Sequence, residues 1–383
     1  MRVLFVSPVI PWPLRSGGRI RTYELLRAVR AHAEVHVRAV EDPGPLPEGL
    51  RAVRAACASF ASFPRTGVVG AERLRLPKLA RWFHSRPLTE AVQRELAHGA
   101  YDVVHLDEMF LAGALEAPTA IATSVPTVVH HHKLDLEFAR ATGASAYDAL
   151  KLKRLERTAC RRFRHHVLCS REDALRLEAR HPGLATRVIP NGVDLERYWP
   201  YGEARKPRRL LFLGSLDYGP NLDAVEHLVR DVLPEVRGDW HLDIVGARPH
   251  PALGWLGGER VRVVGEVDDV RPWLGRASAL VVPLRIGGGS RLKIAEALAM
   301  GCPVISTGVG AEGLDLEDGV HLTLAGPGSR FAAAIDAVLD DPNSAAARAA
   351  NGRARIVERY GWSSLARELY AAWESACALS SSR

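Results

Sequence analysis

Apolar positions in this chain recur with two periods. Short unbroken runs of aliphatic residues alternate with longer stretches in which apolar residues return every three or four positions. In the first half, Val3–Val6, Val35–Val40, Tyr101–Leu106, Thr127–His132, His166–Ser170 and Arg187–Asn191 read as buried strands. Between the first two lies SPVIPWPLRSGGRIRTYELLRAVRA, where Tyr23, Leu26 and Val29 share a helical face and Gly17-Gly18 directly precede the helix. Residues 41–100 read as Pro-rich connections and helical segments. Beyond Lys206 the rhythm restarts, with strands expected at 209–213, 241–245, 261–264, 279–283, 303–307 and 320–324. Trp362–Ala376 carries Leu365, Leu369 and Trp373 at helical spacing. Continuous apolar runs separated by amphipathic helices are the pattern of a parallel sheet covered on both faces. The expected class is α/β, with two Rossmann-like domains and a cleft between them. The Gly- and Pro-containing tract from Asn191 to Lys206 separates a first domain, 1–195, from a second, 205–361, and 362–383 forms a terminal helix. A length of 383 residues suits two domains of ordinary size.

One stretch carries more chemistry than the rest. Val281–Gly313 reads as a strand (Ala279–Leu284), a glycine loop (Gly287, Gly288, Gly289), a helix and another strand (Pro303–Thr307). Ser290 is placed as an N-cap, Gly301 as the C′ glycine, and Pro303 follows the stop. Leu292, Ala295, Leu298 and Ala299 share one face, while Lys293 and Glu296 share the other. Loop N–H groups at a helix start, with Arg291 and Lys293 beside them, suit a diphosphate, and Glu296 one turn on suits a polyol. The competing reading is an ordinary βα turn with solvated charges.

Charge and composition narrow the partners. A net charge of +7 fits anionic ligands or an anionic membrane surface. No RNP, zinc-finger or helix-turn-helix pattern points to nucleic acid. The basic stretch Tyr147–His166 (Lys151, Lys153, Arg154, Arg157, Arg161, Arg162, Arg164) has Leu152, Leu155, Ala159 and Phe163 as its apolar stripe. It reads as a solvated face, or as a contact with anionic head groups at the membrane. Five scattered cysteines without paired spacing suggest free thiols in a reducing compartment. The N-terminal apolar run is too short for a signal peptide, and no stretch of about 18 apolar residues offers a membrane span. A cytoplasmic protein is expected, peripheral on the inner membrane face if the basic helix makes that contact. The run His130–His132 is no metal site on this reading, because neighbouring strand residues point to opposite faces. One of these histidines facing a cleft is expected instead.

At this point several segments together resemble a known family. IPNGVDLERY (Ile189–Tyr198), GSLDYGPNLDAVEHL (Gly214–Leu228), VGARP (Val245–Pro249), VVGEVDDVRPWL (Val263–Leu274) and PLRIGGGSRLKIAEALAMGCPVISTGVGAEGL (Pro283–Leu314) look like a family 4 retaining glycosyltransferase of the GT-B fold. The last block resembles the branch found in exopolysaccharide and cell-envelope synthesis. The resemblance implies a terminal helix that crosses back to the first domain. It implies that Gly17 and Gly18 lie against the donor diphosphate and sugar, and that Glu296 holds the ribose hydroxyls. The family's earlier glutamate falls at Gly288, so here Gly288, Gly289 and Ser290 offer backbone N–H groups instead. The family's Arg/Lys pair on the diphosphate has no counterpart in Gly214-Ser215 and the residues after them. Arg291 and Lys293 are the replacements, with Arg248 a weaker candidate. Val267, within Gly265–Asp268, falls in the loop whose backbone meets the base, and His131 or His132 corresponds to the histidine near the sugar.

The implied reaction is transfer of a sugar from a nucleoside-diphosphate sugar to a hydroxyl acceptor, with retention, no metal and no other cofactor. Arg291, Lys293 and the helix start would stabilise the departing diphosphate. Asp268-Asp269 then belongs to the base loop or a helix start and is no metal pair. Two alternatives stand beside this: a GT-B epimerase or phosphorylase, and a non-catalytic GT-B protein that binds a nucleotide sugar or serves as a partner subunit. Gly288 is the feature that favours the last.

Overall fold

The apolar runs assemble into two separate parallel sheets. A computed structural model describes residues 1–380 apart from 45–47, 69, 71, 100, 116–124, 201, 203–204 and 249. The chain divides into two compact units, Met1–Pro190 with Trp362–Arg383, and Asn191–Gly361.

In the first unit the strands are β1 (Arg2–Ser7), β2 (Glu34–Val40), β3 (Ser59–Phe63), β4 (Val103–Asp107), β5 (Thr127–His131), β6 (His165–Leu168) and β7 (Ala185–Val188). Their order is β3-β2-β1-β4-β5-β6-β7. β1 is the centre, with Val3 opposite Val35 on one side and Val103 on the other. From Val3 onward β1 is buried on both faces, which is why its sequence has no polar alternation. The Gly17–Val29 helix covers one side, and its glycines are its first two residues rather than its preface. The terminal helix Trp362–Ser380 belongs to this unit and seats Trp373, fully buried, against His105 of β4.

The second unit holds β8 (Arg209–Leu213), β9 (His241–Val245), β10 (Val261–Gly265), β11 (Ala279–Val282), β12 (Val304–Ser306) and β13 (Thr323–Leu324), ordered β10-β9-β8-β11-β12-β13. One continuous core joins Leu210–Leu213, Ile244, Leu280–Val282, Ile294, Leu298 and Phe331.

Several expected boundaries move. β3 is missing from the sequence reading; SFASF is only partly buried and sits at the sheet edge on β2, so it lacks a strong apolar run. β7 ends at Val188, short of Asn191, because Pro190 has no N–H for a ladder. The basic helix is Ala146–Arg162, since Phe163 is already extended on the way into β6. The Ser329–Asp340 and Pro342–Arg359 helices fill the segment before the terminal helix.

Each sheet has one point where strand order reverses. In the first it lies between β1 and β4, in the second between β8 and β11. Ligands of open α/β sheets bind outside the carboxyl ends of the strands at such points. Those two places are where the candidate residues have to be sought.

Candidate active site

At the reversal of the first sheet, β1 ends in Ser7 and β4 ends in Asp107. Thr22, one turn into the first helix, donates to Asp107 at 2.8 Å, and Ser7 does so at 3.3 Å. His132, just past β5, places Nε2 2.8 Å from the same carboxylate. Burial opposes charge on Asp107, yet the His132 ring and these hydrogen bonds hold its carboxyl below the usual range. Burial likewise opposes charge on His132, and Asp107 with Glu108 outweighs it, so the imidazole is raised. The other ring nitrogen, Nδ1, lies 3.6 Å from Glu108 Oε1 and 3.3 Å from where a Cβ on Gly18 would stand. Glu108 is buried at a left-handed φ of 109°, and burial pushes it up to about 7.

The structure therefore places His132 beside Gly18 and keeps His131 away from it. His131 is buried on the opposite face of the sheet, 2.9 Å from His166 Nδ1, and its ring is held well below the usual histidine range by burial. The expectation that offered His131 as an equal choice is corrected by strand alternation. His130 turns to the same face as His132 but is buried under Arg21, which donates to its Nε2 and to the carbonyls of Ile189 (2.6 Å) and Pro190 (2.7 Å).

His105, Asp107 and His130 present one ligand atom each within 4.8 Å, a grouping that could suggest a metal. The hydrogen bonds argue otherwise. Trp373 Nε1 can only donate, so His105 Nδ1 accepts and the ring proton sits on Nε2. Arg21, a permanent cation, donates to His130 Nε2 at 3.1 Å. Burial keeps both rings neutral. His105 Nε2 and His130 Nδ1 lie 3.2 Å apart as hydrogen-bond partners of each other, so with the Arg21 guanidinium beside them these nitrogens are already engaged within the protein and the residues do not fit a metal.

In the second unit the reversal brings Gly214 and Ser215, after β8, next to the segment after β11. Lys293 Nζ hydrogen-bonds Asn221 Oδ1 at 3.2 Å and lies 4.9 Å from the Phe212 ring centroid. Asn221 in turn donates to Ser215 O at 2.9 Å. A Cβ on Gly214 would stand 2.8 Å from Lys293 Nζ, so the ammonium lies against that turn. Gly246, after β9, is packed on the same turn, with space for no side chain: a Cβ would fall 1.8 Å from Gly214 O. Burial, and secondarily the field of Arg291, lowers Lys293 to about 7.

Arg291 is used differently. Its guanidinium folds back on its own loop and donates to the carbonyls of Gly288 and Gly289, the second at 3.3 Å. A Cβ on Gly287 would fall 1.7 Å from Nη2, so the guanidinium lies directly against that glycine's backbone. Ser290 is not the expected N-cap. The helix is Leu292–Ala299, and the Ser290 hydroxyl instead accepts from Asn191 N–H at 2.7 Å, while Asn191 Nδ2 donates to Ser290 O at 2.7 Å. Glu296, partly buried, is hydrogen-bonded by the Tyr198 hydroxyl, and burial raises its carboxyl. Arg248, exposed and at φ 54°, is tied to Asp217 (3.0 Å) and to Ser215 Oγ (3.2 Å). Val267 is half-buried against the core. Asp269 accepts from Arg271 N–H at 2.9 Å ahead of the Arg271–Arg276 helix, as a helix start would. Pro249 lies outside the described residues.

The structure thus gathers Gly214, Ser215, Asn221, Lys293 and Arg248 in one place and Gly18, Asp107, Glu108 and His132 in another. Asp107, Glu108, Thr22, Asn221 and Tyr198 escaped sequence reading. Asp107-Glu108 directly follow a buried run, and that position was the available signal.

A parallel sheet in each unit, with polar groups collected at each reversal, defines the two-domain GT-B fold. The chain belongs to glycosyltransferase family 4: the family model described as Glycosyltransferase Family 4 matches residues 15–197, and that described as Glycosyl transferases group 1 matches 207–341. Among its relatives is the glycogen synthase of Mycobacterium tuberculosis, 32% identical over 206 residues, 48% of this chain and 47% of that protein. The chain thus spans about half the length of that relative. The phosphatidyl-myo-inositol mannosyltransferase of the same organism is 28% identical over 358 residues, 85% of this chain and 88% of that protein. Sucrose-phosphate synthase from Thermosynechococcus elongatus has the same fold, with a TM-score of 0.77 at 19% identity over 99% of this chain and 100% of that one. Anabaena Alr3699/HepE, solved in complex with UDP and glucose, has a TM-score of 0.69 at 17% identity, covering 98% and 100%. Among the described residues, no helix is long and apolar enough to cross a membrane.

Proposed function

We propose that this protein transfers a glycosyl unit from a nucleoside-diphosphate sugar to a hydroxyl acceptor, with retention at the anomeric carbon and without a metal. The observation that carries the reading is Lys293: a partly buried ammonium against the Gly214 turn, at the strand reversal where a ligand phosphate would arrive. Residues 205–361 take the donor. Lys293 and the N–H groups at the helix start face the diphosphate, and Gly288–Ser290 with Arg291 shape the loop around it. Glu296 accepts from the ribose hydroxyls once Tyr198 releases it, and the Val267 loop and Arg248 lie at the base and phosphate edges. Residues 1–195 take the acceptor, with Gly17, Gly18 and His132 beside the transferred sugar.

In the reaction the bond from the anomeric carbon to the β-phosphate oxygen breaks, and the acceptor oxygen bonds on the same face. The acceptor's proton passes to the departing phosphate oxygen, so no protein nucleophile is needed. Negative charge grows on the phosphate, and a preorganised donor there is worth roughly 2.7–4 kcal/mol. UDP is the first nucleotide to try, because a solved protein of this fold holds it. The acceptor is a glycan, a lipid-linked sugar or a small hydroxyl compound. The exposed Lys153, Arg154 and Arg157 suit peripheral contact with an anionic membrane on the cytoplasmic side.

The test is a thermal shift with UDP, GDP and dTDP in EDTA, followed by a donor screen for hydrolysis and transfer. Stabilisation by a nucleoside diphosphate in EDTA is expected. No response to any of them would sink the reading. Lys293→Ala should weaken nucleotide binding and lower kcat as well; a variant with both Kd and kcat unchanged would take Lys293 off the diphosphate.

A further inference from the structure

We propose that a pocket beside the Ala146–Arg162 helix binds the phosphate of a lipid head group. This rests on the membrane reading of that helix and narrows it to one site. The pocket encloses about 520 Å³ and is lined by Arg73, Lys78, Arg81, Tyr147, Asp148 and Lys151. Four cations face one carboxylate, and that carboxylate already accepts the Lys78 N–H at 2.9 Å.

Two of the cations are not where solvated charges belong. Lys153, Arg154 and Arg157 are exposed, as a polar face should be, but Lys151 is only 9% exposed. Its ammonium lies 4.1 Å from the Tyr147 ring centroid, and among the described residues it has no hydrogen bond or ion pair. Nε of Arg81 is buried with no hydrogen-bond partner among the described residues. A buried guanidinium nitrogen without an acceptor is costly, so Arg81 Nε lacks a partner that a ligand oxygen can bring. A phosphate oxyanion accepts several N–H donors at once and matches this set.

The rim selects the source of the phosphate. Leu74 (65% exposed) and Tyr147 (58%) line the pocket where it opens to solvent. Tyr147 hydroxyl donates to Leu74 O at 2.9 Å, which ties the two sides of the rim together. Aliphatic and aromatic side chains around a basic pocket suit the interfacial zone of a bilayer, where Trp and Tyr collect. A free phosphate ester would gain nothing from them.

The experiment is co-sedimentation of the full chain with phosphatidylcholine vesicles containing 30% phosphatidylglycerol, or none, at 0.15 M salt. A parallel thermal shift uses glycerol phosphate as the soluble probe. Binding to the anionic vesicles is expected. Lys151→Gln and Arg81→Gln should each weaken it about tenfold, Lys151→Arg should retain it, and the exposed pair Lys153→Gln/Arg157→Gln should change it less than twofold. Wild-type protein that ignores the anionic vesicles would overturn the membrane reading itself. An equal loss in the exposed pair and in Lys151→Gln would overturn the pocket alone, leaving diffuse charge. A shift with glycerol phosphate without vesicle capture would overturn the lipid source. Should Lys151→Gln not fold, Arg81→Gln carries the same expectation.

Discussion

Lys293 offers a quantitative test of the donor site through pH. In the protein without ligand it titrates near 7, far below an ordinary lysine, because it is buried and beside Arg291. A bound diphosphate brings negative charge to the ammonium and returns its pKa toward the ordinary range near 10.4. The bound form therefore holds the proton more tightly. Affinity is at full strength below 7 and is lost as pH rises from 7 toward the bound value. At pH 7.5 the free lysine is about three-quarters deprotonated, and at pH 9 about 99%. The Kd for UDP should then rise about 25-fold between these pH values, while the terminal phosphate stays ionised throughout. Isothermal titration at pH 8, in two buffers of different ionisation heat, should show uptake of about 0.9 proton per site. Lys293→Met should flatten both curves. A Kd unchanged from pH 7.5 to 9, or zero proton uptake in the wild type, would refute the placement of Lys293 on the diphosphate.

Two stability measurements probe the scaffolds beneath the sites. Gly246→Ala puts a Cβ 1.8 Å from the Gly214 carbonyl, a backbone atom that cannot rotate away; urea denaturation should show a loss of at least about 3 kcal/mol, with the UDP response weakened as the turn shifts. Trp373→Phe removes the indole donor to His105 Nδ1 while keeping most of the ring, and should cost about 1–3 kcal/mol. Unchanged stability would mean that the indole N–H adds nothing to the bond count it completes.

What could be read from the chain follows from where its information is local. Strands such as β1, β4, β8 and β11 were legible because each is a run of buried, mostly aliphatic residues, and parallel sheets bury both faces. β3 was not, because an edge strand such as SFASF is only half-buried and keeps no strong apolar pattern. Lys293 and Glu296 were legible as one helix face, since three residues make nearly one turn. Their partners were not: Asn221 and Tyr198 come from segments 72 and 98 positions away, and nothing in their neighbourhoods marks them. Strand alternation settles His132 over His131 only when the register is known, and the sequence alone leaves the register open. Ser290 shows the limit of capping rules. Its side chain was taken by a backbone N–H at Asn191, a partner 99 residues distant.

Two departures from the family pattern answer each other. The turn after β8 carries no Lys or Arg, and position 288 carries no glutamate. Yet the Lys293 ammonium reaches the space beside Gly214 from another segment, so the cation near that turn is supplied by the helix face. Arg291 braces the glycine loop through the carbonyls of Gly288 and Gly289. A glutamate at 288 would stand next to that guanidinium. At about 4 Å and an effective dielectric near 20, such a pair attracts by about 4 kcal/mol, enough to claim the cation from an incoming phosphate. With glycine there, the loop keeps its positive charge for the ligand. On the proposed donor-site reading, Gly288 is part of a rearranged diphosphate site in which Lys293 supplies the cation.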